Sequence, residues 1–317
     1  MTVLVRDLRP ADPADVEAFV RVRRAALPFM IATPEITGFE LACAHPAKRY
    51  RLLVAETAAG EVIGTAQVGF AYESPEPGRS FANTYVHPDR RSLGAGTALL
   101  RAAEAYLAAE GAAELFVWVL DEPANRAFAE RHGYRAGRSA HFLRLDLANG
   151  TLPPVPELPA GVELRPASAF AADPRPVFTV DAETVADEPS DVGTELDFGD
   201  YQHWLRYTWN HPALDKELTM VALVDGEVAA FTAAHTDGAG RYGTAMTGTR
   251  RAHRGRGLAK LAKAASLHRA RAAGYTEAFT GNDSGNGPML AINRWFGYEI
   301  CAAEARYAKH LTRSTEA

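Results

Sequence analysis

The chain has 317 residues, enough for two domains that each bury a core without disulfide or metal staples. Its 47% hydrophobic and 23% charged residues suit a soluble globular protein, and neither half has the composition of a disordered one. A formal charge of -5 argues against a protein whose main partner is nucleic acid or an anionic membrane.

Cys43 and Cys301 stand far apart, outside any redox or metal-ligand spacing, so no metal is expected and a reducing compartment is the simplest home. No run approaches the roughly 20 apolar residues of a bilayer span, and the N-terminus lacks an apolar signal-peptide stretch. The expected location is cytoplasmic, as a monomer or homodimer.

In chain order, a short strand at 3–10 ends in Arg9-Pro10 before an alanine-rich helical stretch. Strands follow at 51–56 and 62–72 around the turn Ala58-Ala59-Gly60-Glu61, then another at 80–86. Next comes a helix with Leu99, Ala103 and Leu107 on one face and Gly111 as its cap, a strand at 114–120, and a shorter helix over 125–132.

The segment 149–161 carries Pro153, Pro154, Pro156 and Pro159, which remove backbone donors and favour an extended spacer. It divides the chain into a domain at 1–150, a linker at 151–161 and a domain at 162–317. Past it the order repeats. A strand at 162–166 ends in Arg165-Pro166, strands at 218–224 and 227–235 flank Asp225-Gly226, and a strand runs over 242–249. The following helix has Leu258, Leu261, Ala262 and Ala265 inward with Lys260 and Lys263 outward, and Gly274 closes it. A strand at 277–280 and a helix over 289–296 complete the copy.

A constant offset ties the halves together. Val86 maps to Thr249, Arg91 to Arg254, Gly94 to Gly257, Gly96 to Ala259, Gly111 to Gly274 and Phe116 to Phe279, all 163 residues apart, and Gly133-Tyr134 maps to Gly297-Tyr298 at 164. In each copy a strand runs into Arg-x-x-Gly-x-(Gly/Ala) at a helix start. Glycines there admit close backbone approach, and unpaired N–H groups with the helix dipole favour phosphate.

These residues resemble the GNAT superfamily of N-acetyltransferases, in which Val-x-Pro-x-x-(Arg/Gln)-x-x-Gly-x-(Gly/Ala) binds the diphosphate of coenzyme A. The first copy, Val86-His87-Pro88-Asp89-Arg90-Arg91-Ser92-Leu93-Gly94-Ala95-Gly96, matches throughout. The second, Thr249-Arg250-Arg251-Ala252-His253-Arg254-Gly255-Arg256-Gly257-Leu258-Ala259, keeps the loop without the valine and proline. The stretch with Asn282, Asn286, Met289, Asn293 and Gly297-Tyr298 is similar to actinobacterial tandem GNAT proteins related to mycothiol synthase.

The resemblance implies an α/β (α+β) fold of two tandem GNAT-like domains, each a mixed, mostly antiparallel sheet flanked by helices. It implies acetyl-CoA as co-substrate, bound by Val86, Arg91, Ser92, Leu93, Gly94, Ala95, Gly96, Thr97 and Asn125 in the first copy. In the second, the matching set is Arg254, Gly255, Arg256, Gly257, Leu258, Ala259, Asn282 and Asn286. The acyl group would pass to the amine of a small molecule. A strand N–H that polarises the thioester carbonyl falls near Val86 or Thr249.

Many family members carry a tyrosine as the protonating group at the positions of Ala129 and Asn293, so Tyr85, Tyr242 or solvent must stand in. Base candidates are Asp121, Glu122, Asp283 and His253. Catalytic roles are thus assigned to Thr249, Asp283, Asn293 and Tyr242, with the second copy as the active one.

From Asp181 to Asp200 there are eight acidic residues and no lysine or arginine, an anionic lip suited to a cationic acceptor through Asp187, Glu188 and Asp191. The aromatics Tyr201, Trp204, Tyr207 and Trp209 read as packing. A non-catalytic acyl-CoA sensor, or a transferase using a longer acyl-CoA or an aminoacyl-tRNA, remains the alternative.

Overall fold

The computed structural model describes residues 2–72, 74–185 and 200–311. The chain divides into two compact units. The first takes residues up to Ala140 and again from Ala302, and the second takes the residues between His141 and Cys301 that are described.

Unit 1 begins with β1 (Val3–Asp7), α1 (Pro13–Ala26), α2 (Pro34–Cys43), β2 (Arg51–Thr57), β3 (Val62–Phe70) and β4 (Arg79–Val86). It continues with α3 (Ala95–Ala109), β5 (Glu114–Leu120), α4 (Pro123–Arg131) and the start of β6 (Arg135–Asp146). Unit 2 holds the end of β6, then β7 (Val162–Pro166), α5 (Arg175–Val185), α6 (Tyr201–Trp204), β8 (Met220–Val224), β9 (Glu227–Thr236) and β10 (Arg241–Thr249). After these come α7 (Leu258–Ala272), β11 (Glu277–Asp283), α8 (Gly287–Trp295) and β12 (Glu299–His310).

The strand order is β1-β2-β3-β4-β5-β12 in unit 1 and β7-β8-β9-β10-β11-β6 in unit 2. Antiparallel meanders run from β1 to β4 and from β7 to β10, while β4 and β5, and β10 and β11, pair in parallel. The sheet of each unit is therefore mixed and mostly antiparallel, with a helix crossover where the parallel pair requires one.

The periodicities locate most of these elements, but they give no sign of α2 as a helix or of β6 and β12 as strands. The final strand is drawn into the first unit: Glu304 to His310 lie antiparallel to Leu120 to Glu114, and Tyr307 is buried in that unit's core. That core forms where Leu99, Ala103 and Leu107 of α3 lie on Leu53, Ala66, Val68 and Leu115. Apolar positions three to four residues apart put one helical stripe on the sheet.

In unit 2, Ala264, Leu267 and Ala270 of α7 pack with Leu143, Leu145, Phe296 and Tyr298. One helix-face assignment is corrected: Lys263 points inward and is 0% exposed. The proline-bearing segment is tied along α7, since His268 Nε2 lies 2.8 Å from the Pro153 carbonyl and Arg271 donates to the carbonyls of Leu147 and Gly150. Among the described residues no helix is long and apolar enough to cross a membrane.

Candidate active site

Each unit opens a cleft for the same reason. β4 and β5 pair only at Arg79–Phe81 against Glu114–Phe116, and β10 and β11 only at Arg241–Thr244 against Glu277–Thr280. Past those residues the strands part. The gaps hold about 500 Å³ in unit 1 and about 710 Å³ in unit 2.

The turn into the helix forms one end of each gap. Ser92 (φ 64°) and Gly94 (φ 90°) take left-handed conformations before α3, and Gly255 (φ 75°) and Gly257 (φ 77°) repeat them before α7. Such alternation turns successive N–H groups into one concavity, a nest for an anion. No side chain caps the start of either helix, so the first-turn N–H groups and the dipole also face that concavity.

Val86, Asn125 and all of 91–97 except Leu93 lie on the wall of the first cleft. Leu93 packs against the core instead. Thr249, Asn282, Asn286 and all of 254–259 except Arg256 lie on the wall of the second. Arg256 turns to His253, Nη1 to Nδ1 3.2 Å.

The two sites differ in three respects. In unit 1, Arg91 Nη1 is 3.0 Å from the Glu122 carboxylate, and Asn125 Nδ2 donates to the same oxygen across 3.3 Å. Arg91, which lines the cleft, thus already has its charge offset by a carboxylate. Glu122 is the residue just before α4, and the residue in that place before α8 is Asn286.

The second difference lies in the strand. β4 runs against β3 in unbroken register, but β10 slips against β9 between Thr244 and Met246. A bulge leaves one residue's backbone out of the ladder, and Ala245, at the slip, is on the cleft wall. The irregularity is therefore upstream of Thr249, which is in register with Ala230.

The third is the polarity of the positions on and behind the wall. Leu100, Val119 and Ala129 line the first cleft, and their repeat positions are Lys263, Asn282 and Asn293. Asn293 is 0% exposed, accepts from Lys263 Nζ at 2.5 Å and donates to Asn282 Oδ1 at 2.6 Å. Burial alone lowers the Lys263 pKa to about 7. By polarity alone Lys263 reads as outward-facing; its alignment with the apolar Leu100 is the signal in the sequence that it faces inward.

Two residues given catalytic roles lie away from the reacting space. Tyr242 is fully buried, and its hydroxyl is 2.7 Å from Ser266 Oγ. Ser266 spends its own proton on the Leu218 carbonyl, so Tyr242 must donate to it, and burial pushes the phenol up to about 12. It belongs to the core. Asn293 has its amide committed on both sides and carries no acidic proton.

The remaining candidates divide. Asp283 Oδ1 accepts from Gly285 N at 2.8 Å, shaping the turn before α8, and Asn286 Oδ1 accepts from Met289 N at 3.2 Å as that helix's cap. Asp121 pairs with Arg126 and Glu122 with Arg91. His253 is on the second cleft's wall, and Tyr85 is on the first's with its phenol raised by burial to about 12.

Asp187, Glu188 and Asp191 lie outside the described residues. Of the same acidic stretch, Asp181 is buried and accepts from Trp204 Nε1 at 2.7 Å, Glu183 pairs with Arg250, and Asp200 accepts from His203 N at 2.6 Å. Trp204 stacks on Trp209, ring centres 5.5 Å apart, as packing.

Comparison with known proteins bears on the whole chain. The model of the Acetyltransferase (GNAT) family matches twice, at residues 19–134 and 183–298. A mycothiol acetyltransferase of Saccharomonospora viridis is 28% identical over 264 residues, 80% of this chain and 81% of that protein. One from Frankia casuarinae is 37% identical over 142 residues, 44% of this chain and 39% of its own length. A solved tandem GNAT protein from the clavulanic acid biosynthesis pathway shares the fold at a TM-score of 0.74 with 21% identity, covering 99% of this chain and all of the other.

Proposed function

The chain belongs to the GNAT acetyltransferase family and is an N-acetyltransferase, and from that premise we propose that its second unit binds acetyl-CoA and passes the acetyl group to the amine of a small molecule. The observation that carries this reading is the slip in β10 at Thr244/Met246, on the wall of the same cleft that ends in an anion-binding nest. A strand N–H freed there is a donor for the oxyanion that forms when the thioester carbonyl is attacked. The first cleft has the nest without the bulge, and the Arg91 on its wall is paired with Glu122.

The step itself is balanced without a protein acid. The amine nitrogen bonds to the carbonyl carbon, the C–S bond breaks, and the proton shed by nitrogen is the one the thiolate takes up, through water. An alkylamine with a pKa near 10.4 is neutral in only about one molecule in 10³ to 10⁴ at pH 7, so a base near the acceptor raises the rate. Of the base candidates in this unit, His253 is the one on the cleft wall, with its Nδ1 facing Arg256.

The curated relatives are named for mycothiol, which makes a mycothiol-related amine the first acceptor to try. The test is thiol release from acetyl-CoA across a panel of amines, together with calorimetry. Turnover with at least one amine supports the transferase. Tight binding of acetyl-CoA with no thiol release on any amine would leave the acyl-CoA sensor.

A further inference from the structure

Three positions that are apolar in unit 1 are polar in unit 2, and the three are in contact. Leu100, Ala129 and Val119 become Lys263, Asn293 and Asn282. Unit 1 folds around the apolar set, with Leu100 and Ala129 both buried. The fold therefore has no need of the polar one. An ammonium fully inside a protein is costly to bury, and among the described residues Lys263 has no carboxylate to offset it, only the Asn293 amide and the Tyr298 ring at 4.9 Å.

With Lys263 charged, the chemistry of these groups allows only one arrangement. An ammonium has three donors and no acceptor, so the Asn293 atom facing it must be the carbonyl oxygen. That turns the Asn293 NH₂ toward Asn282, which must answer with its own oxygen. The Asn282 NH₂ is then left over. It lies on the wall of the cleft, and among the described residues nothing in the protein accepts from it.

We propose that Lys263 is a positioning residue which, through Asn293, locks Asn282 with two N–H donors toward the cleft, so that the cleft selects a carbonyl group at that point. The ligand chemistry this specifies is an amide or thioester oxygen, as carried by the pantetheine arm of acetyl-CoA. The proposal rests on the reading that this cleft takes the donor. Its charge is what makes the lysine suitable: an uncharged side chain in its place would let both amides turn over.

The test is Asn293→Asp, which keeps the shape. One aspartate oxygen accepts from Lys263 and the other from Asn282, so Asn282 must turn its oxygen to the cleft. A merely structural role for the lysine predicts unchanged or tighter ligand binding, because the ammonium gains a counter-ion.

The lock predicts a melting temperature no lower than that of the parent protein, with acetyl-CoA held about tenfold more weakly and kcat little changed. The triple variant Lys263→Leu, Asn293→Ala, Asn282→Val should fold as unit 1 does and bind weakly too. Acetyl-CoA binding by Asn293→Asp equal to the parent's would overturn the proposal.

A second readout needs no ligand and no variant. By NMR, the Asn282 side-chain NH₂ of the parent protein should exchange fast with water. Slow exchange there would overturn the lock. A parent protein with fast exchange that nevertheless binds no acetyl-CoA would instead sink the donor assignment of the previous section.

Discussion

The Arg91 guanidinium, on the wall of the first cleft, meets the Glu122 carboxylate across 3.0 Å. The pair is half exposed, so its own worth is at most about 1 kcal/mol. Its weight lies in the like-charge repulsion a diphosphate would meet there. Replacing Glu122 with asparagine, the residue in the same place before α8, should leave stability within about 1 kcal/mol. Calorimetric stoichiometry for acetyl-CoA should rise from near one per chain toward two. An unchanged stoichiometry would mean that something other than Glu122 closes the first site.

Gly257 and Gly94 allow the two units to be compared directly. Both hold positive φ, and a Cβ on either would meet no atom within 4 Å. A valine at either site thus costs by backbone strain, of order 1–3 kcal/mol, and by reshaping the nest. Gly257→Val should lower turnover by roughly a hundredfold, the scale of losing an oriented backbone donor. Gly94→Val should change it less than about threefold if the first nest holds no donor during turnover. Steady-state rates on the two variants decide the matter, and the opposite ranking would move the donor to unit 1.

The repeat was legible because glycines at turns and apolar residues at helix spacing are local signals. Gly94 and Gly257, Leu99 and Leu261 announce themselves without tertiary information. What escaped were the long-range choices. Nothing local to Glu299–His310 says that this strand pairs with Leu120–Glu114, far back in the chain, nor that Tyr307 fills the first unit's core. Lys263 was misplaced for a related reason. A helix-face assignment sorts residues by polarity, and a buried polar chain from Lys263 through Asn293 to Asn282 is the case where that sorting fails.

Lys263 also gives the stability of the protein a pH dependence. Its folded pKa, about 7, lies below the value near 10.5 of an exposed lysine, with burial as the cause. Between those values the unfolded chain binds more protons than the folded one, so stability rises with pH across this window and is flat below it. Lys263→Met, which cannot be charged, should flatten the slope between pH 7 and pH 9.5 and raise the melting temperature at pH 7. Thermal melts at the two pH values for both proteins would show it. A parent protein no more stable at pH 9.5 would mean that the ammonium is solvated better than its burial implies.

The shared ownership of β12 makes a prediction about fragments. The chain from 1 to 150 contains every strand of unit 1 except this last one, so by itself it exposes the edge of β5. It also loses Tyr307 from the core and the Lys309 ammonium, which lies 2.8 Å from the Glu104 carboxylate that accepts from Tyr134. An open, apolar strand edge is a template for association between chains. Fragment 1–150 should therefore aggregate or melt without cooperativity. In the full chain, Tyr307→Ala should cost unit 1 about 3–5 kcal/mol, as large aromatic truncations in cores do. Size-exclusion chromatography and denaturant melts are the checks. A monomeric, cooperatively folded 1–150 fragment would show that the first unit closes its sheet without the last strand, and the units would then be independent along the chain after all.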